Sequence, residues 1–199
     1  MFSISKIFTA AVIASSFLVG NAVAQPRPTK SVSPFVAQLI EYRTPLAYST
    51  VIERLDAQVN KTGALTFVTK FRAAKTREEQ RSLIADITQG RNFLYFSEAN
   101  HQKWLDIYFP DVSHPGGTIY TLGNPTFAAD IIPLDYSTSI NIPLRFMILE
   151  QVDRSGTRIM YHQPSSIFAP FNKRDRQLQT YIKSLDTGFA DLFEGIIGY

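Results

Sequence analysis

The chain has 199 residues, 45% of them hydrophobic and 19% charged, with a formal charge of +3. This composition suits one globular domain with a sizeable core and excludes a chain disordered throughout. No cysteine occurs, which excludes disulfides, thiolate nucleophiles, thiolate zinc sites and iron–sulfur ligation, and the small basic excess does not point to nucleic acid.

Met1 to Lys6 form a short n-region with one positive charge, followed by an apolar stretch from Ile7 to Gly20. Ala22-Val23-Ala24 then gives the small-x-small pattern of a signal-peptidase site, with cleavage between Ala24 and Gln25. The apolar stretch is shorter than the ~20 residues that span a bilayer. The expectation is a signal peptide over 1–24 and a secreted product without stable membrane anchoring, extracellular or, in a bacterium, periplasmic. Residues 25–34, rich in Pro and Ser, read as an extended leader before a single domain over 35–199. Asn60-Lys61-Thr62 fits the N-glycosylation triplet, which has meaning only in a eukaryotic secretory pathway.

Along the domain, Phe35 to Thr44 predicts a strand that ends before Pro45. Ser49 to Glu53 offers an N-cap for a helix reaching Asn60, with Thr62-Gly63 as its stop. The β-branched and aromatic density of Ala64 to Phe71 predicts a second strand. Arg72 to Gln89 is charged and helix-prone. Asn92 to Phe96 reads as a short strand, Glu98 to Asp106 as a short helix, and Asp111 to Gly117 as a loop.

The second half is better patterned. Thr118 to Leu122 predicts a strand stopped by Gly123-Asn124-Pro125, and Thr126 to Leu134 a helix. Ile142 to Val152 predicts a long central strand, because both its faces are largely apolar. Asp153 to Gly156 turns a hairpin into a strand over Thr157 to Tyr161, closed by Pro164. Leu178, Tyr181, Ile182, Leu185, Phe189, Leu192, Phe193 and Ile196 recur at helical spacing. Burying that stripe, at about 1.5–3 kcal/mol per large side chain, outweighs charges that run against the helix dipole.

Four features from Thr118 to Pro164 stand in order: Tyr120-Thr-Leu-Gly123-Asn124-Pro125, Ile142-Pro143-Leu144-Arg145, the Asp153 to Gly156 turn, and Tyr161-His-Gln-Pro164. In this the chain resembles the domain of unknown function 302 family. The resemblance implies an α+β fold of the β-α-β(4)-α type, like that of the TATA-box-binding protein: a curved antiparallel sheet packed by helices on one face. On that comparison residues 72–115 read as a helical insertion. The resemblance is compatible with homodimers and implies no reaction or cofactor.

Most motif residues have structural explanations: a positive φ at Gly123, a turn cap at Asn124, a first helical residue at Pro125. Asn124, Tyr161 and His162 are the candidates for lining a ligand pocket at the strand ends. His101, Asp106, Asp111 and His114 form the alternative, a divalent-metal set for a hydrolase, although their spacing matches no known signature. Asp186-Thr187-Gly188 spells the aspartic-protease triplet but falls inside the strongest helical pattern. The reading reached from sequence is a secreted, non-catalytic module that binds a small apolar or amphipathic ligand or a protein partner.

Overall fold

The computed structural model describes residues 28–170 and 172–198. The stretch read as a signal peptide, its expected cleavage point between Ala24 and Gln25, and the first residues of the expected leader lie outside the described residues. Residues 28–34 are exposed and carry no regular element. Phe35–Tyr199 form one compact unit.

Five antiparallel strands form one sheet: β1 (Leu39–Thr44), β2 (Leu94–Asn100), β3 (Gly117–Gly123), β4 (Leu144–Glu150) and β5 (Thr157–His162), in the order β1-β5-β4-β3-β2. β4 is central, as its two apolar faces predict. Among the described residues eight α-helices join them. α1 (Tyr48–Gln58) and α8 (Arg176–Ile197) lie against the sheet, and α2 (Lys61–Ala64), α3 (Phe67–Ala73) and α4 (Arg77–Thr88) follow α1. α5 (His101–Tyr108) follows β2, α6 (Pro125–Ile131) follows β3, and α7 (Pro164–Ile167) follows β5, with a 3-10 turn at Tyr136–Asn141. The architecture is α+β, with β-α-β(4)-α order once α2 to α7 are set aside.

Strand alternation sends Thr118, Tyr120 and Leu122, Leu144, Phe146 and Ile148, and Thr157, Ile159 and Tyr161 to one buried face. α8 covers it with the stripe read from sequence: Leu178, Ile182, Leu185, Phe189, Phe193 and Ile196 are all buried. Phe193 is the hub, its ring centroid 4.9 Å from Phe146 and 5.0 Å from Tyr161. The Asp186-Thr187-Gly188 triplet sits inside α8, where Asp186 accepts from the Ser165 amide and Gln163 Nε2.

Three local expectations are corrected. Ala64 to Phe71 is helical, because Ala64, Phe67, Val68 and Phe71 fall at i, i+3, i+4 and i+7 and all turn inward. That period outweighs β-propensity. Phe67 and Phe71 pack with tilted rings along the helix, centroids 5.2 Å apart, and Phe67 meets Phe96 of β2 edge-on at 5.7 Å. The break after α1 is made by Asn60, in left-handed conformation with φ 46°, and not by Gly63, which lies within α2. Asparagine is one of the few residues that tolerate this region. Gly123 does not adopt a positive φ; its lack of a side chain serves close packing, since a Cβ there would lie 3.1 Å from Pro143.

Residues 72–115 carry α4 and α5, as their composition predicts, but also β2, which is hydrogen-bonded along β3. The segment read as inserted therefore builds one edge of the sheet. α4 begins at a capping box in which Thr76 Oγ1 accepts from the Glu79 amide and Glu79 accepts from the Thr76 amide.

Candidate functional site

The outward face of the sheet has a simple grid, set by strand register. One row runs Leu39, His162, Arg145, Thr121, Ser97; Leu39 pairs His162, Arg145 pairs Thr121, and Thr121 pairs Ser97. His162 and Arg145 are one step beyond the Tyr161–Phe146 pair, so they stand side by side on adjacent strands. The next row runs Glu41, Met160, Met147, Ile119, Ala99. Polar and cationic groups thus border an apolar band.

This band is the floor of a groove of about 610 Å³, the size of a small-molecule site. Ile119, Met147 and Met160 form the floor, and Ile140, Asn141 and Pro143 from the segment before β4 form one rim. Methionine fills irregular apolar surfaces and adapts to varied ligands. On the far side of the floor, Arg158 makes a two-pronged contact with Glu41 at 2.7 and 3.2 Å, and Arg43 also pairs with Glu41. Those contacts hold the Glu41 carboxyl below its usual range, the Arg158 hydrogen bond contributing most.

A second polar cluster lies across the sheet, beneath α1. Lys61 Nζ lies 2.7 Å from Glu98 and 3.1 Å from Asp56, and donates to Tyr120 Oη at 3.3 Å. It also sits over the rings of Tyr95 and Tyr120, at 5.5 and 5.2 Å. Burial acts to lower the lysine, but the two carboxylates outweigh it and hold the ammonium above its ordinary range. Tyr120 is pushed up, first by burial and then by donating to Asp56. Both groups are fixed in the protonated state, which suits a clamp between α1, α2 and the sheet and gives neither a nucleophile nor a base.

The residues singled out from sequence do not meet at one site. Asn124 caps α6 by accepting from the Thr126 amide, and its Nδ2 donates to the Asn92 carbonyl at 2.9 Å. Tyr161 is 4% exposed; its ring packs among Tyr42, Phe189 and Phe193, and burial raises its hydroxyl. It borders the groove from β5, but its side chain belongs to the opposite face. His162 alone of the three stands exposed on the groove side.

His114 Nδ1 and Asp106 Oδ1 lie 2.8 Å apart. Among the described residues no three His, Asp or Glu side chains gather as a metal set, so His101 and Asp111 do not complete one with that pair. Asn60 Nδ2, the atom that would carry a glycan, donates to the Ile87 carbonyl at 2.9 Å and ties α2 to α4.

Arg145 and Met147 alternate onto one face of β4 and line the groove, but the sequence reading did not single them out as candidates. The available signal was Met160, which falls on the matching face of the next strand across the Asp153–Gly156 turn. The Lys61 cluster left a weaker trace, since Asp56 and Lys61 are near in sequence while Glu98 and Tyr120 are not.

Among the described residues no helix is long and apolar enough to cross a membrane. No curated protein matches the sequence. A solved structure, that of an uncharacterized conserved protein DUF302 from Bacillus stearothermophilus, shares the fold: the TM-score is 0.54 at 14% identity, covering 78% of this chain and 95% of that one. The family model described as "Domain of unknown function DUF302" matches residues 69–191, a span that takes in β2 to β5 and most of α8. By that match, over more than half its length, the chain belongs to the DUF302 family.

Proposed function

We propose that the chain is exported and acts as a non-catalytic binding module, holding a small apolar or amphipathic ligand on the outward face of its sheet. The observation that carries this reading is the groove over Ile119, Met147 and Met160, which stay partly accessible while the other face is packed by α8. Export is supported by the n-region, apolar stretch and Ala22-Val23-Ala24 pattern.

The neutral, environment-sensitive dye Nile red tests the groove. Saturable binding with a blue-shifted emission is expected for the full chain. Met147→Lys and Ile119→Lys should each abolish it while leaving the circular dichroism spectrum unchanged. Absence of saturable binding, or binding indifferent to both substitutions in folded protein, contradicts the reading.

A protein partner is the second reading, favoured by α5 and the residues after it. Trp104 is 49% exposed and Tyr108 72%, with their rings in edge contact at 5.6 Å, and Phe109 continues the patch. Large exposed aromatics of this kind are enriched at protein interfaces.

A further inference from the structure

We infer that the ligand of the outward groove is a small amphipathic anion: its acid group is held by Arg145 beside His162, and its apolar part lies over Met160, Met147 and Ile119. The inference rests on the groove reading above and adds the chemical class of the ligand.

The argument is one of charge complementarity. Of the residues lining the groove, Arg145 is the one that carries a permanent charge, and no carboxylate is among them. The other two arginines of this face share one carboxylate, Glu41, outside the groove lining. Arg158 is locked to Glu41, and Arg43 is paired with the same carboxylate. Arg145, by contrast, is exposed on the central strand and makes no ion pair or side-chain hydrogen bond among the described residues.

Register fixes what an anion at Arg145 would meet. His162 on β5 and Thr121 on β3 flank Arg145 on the same face of the sheet, and all three line the groove. Asn141 on the groove rim adds an amide. Two residues further along the strands, on the same face, the surface turns apolar at Met160, Met147 and Ile119. A planar carboxylate matches the guanidinium fork with two parallel hydrogen bonds. An attached alkyl or aryl group would then lie along the methionine row. Phosphate or sulfate monoesters share the anionic head but differ in shape, and the experiment separates them.

Isothermal titration of the full chain against ten-carbon probes, all below their micellar concentrations, tests the inference. The probes are decanoate, decyl sulfate, decyltrimethylammonium and decyl maltoside. Both anions, or decanoate alone, should bind at least tenfold more tightly than the cation and the neutral glycoside. Arg145→Gln should erase that preference, while Arg145→Lys should restore part of it. Preference for decanoate over decyl sulfate identifies a carboxylate ligand. Equal binding of all four probes would overturn the anion assignment and leave the groove reading intact. Binding of none would overturn both. An anion preference that survives Arg145→Gln would overturn the role given to Arg145.

Discussion

Tyr120 Oη donates to Asp56 Oδ1 across 2.7 Å, joining the middle of β3 to α1, and Lys61 closes the bond into a network with Glu98. Tyr120 itself is 1% exposed, so this hydrogen bond sits at the edge of the core. Tyr120→Phe removes the donor and leaves Asp56 with Lys61 alone. A loss of about 1–2 kcal/mol is expected, read from urea unfolding at pH 7.

The same cluster sets a pH dependence. Lys61 and Tyr120 both hold their protons more tightly in the folded chain than an ordinary side chain does. The stability this confers is complete below the unfolded values, near pH 10 for both groups, and is lost as pH rises through the folded ones. Urea midpoints should therefore hold to about pH 9.5 and fall above about pH 10, and the fall should be smaller in the double variant Lys61→Met, Tyr120→Phe. An equal fall in both proteins would contradict this role.

Phe193 touches the rings of Phe146, Tyr161, Phe189 and Tyr42. Phe193→Ala should cost about 3–5 kcal/mol, because the rigid strands cannot close over the lost ring. Thermal unfolding would show it directly.

Asn124 is assigned here to structure. Asn124→Ala removes the α6 cap and the bond to the Asn92 carbonyl, for an expected loss of about 1–2 kcal/mol. Nile red binding by the folded variant should be unchanged. Loss of binding without loss of stability would return Asn124 to the list of ligand contacts.

Export is tested at the chain's N-terminus. Protein collected outside the producing cells should begin at Gln25, as read by mass spectrometry of its terminal peptide. An extracellular product that keeps residues 1–24 would contradict cleavage after Ala24.

The strong periodic elements were legible in the sequence. β4, β5 and α8 fall within two residues or so of the expected bounds, because their apolar residues recur with one clear period. Failure came where two signals competed. In Ala64 to Phe71, β-branched and aromatic composition argued for a strand, and only the spacing of Ala64, Phe67, Val68 and Phe71 carried the helix. β2 was read short, over Asn92 to Phe96, since a register shift between Tyr95 and Ser97 breaks its alternation. The candidate site was half visible. His162 lies on the groove side, but a strand sends neighbours to opposite faces, so Tyr161 does not join it. That rule alone separates the pair. What no single segment showed is the row Met160, Met147, Ile119, which exists only after three strands are paired.

The most direct test of the account uses the methionines. The chain has three, Met1, Met147 and Met160, and the last two form the groove floor. In full-length protein labelled with ¹³C at the methionine methyl groups, titration with decanoate should shift the Met147 and Met160 resonances together and saturably, with Met1 unmoved. Resonances of Met147 and Met160 that stay fixed while decanoate binds would place the ligand elsewhere and contradict the account.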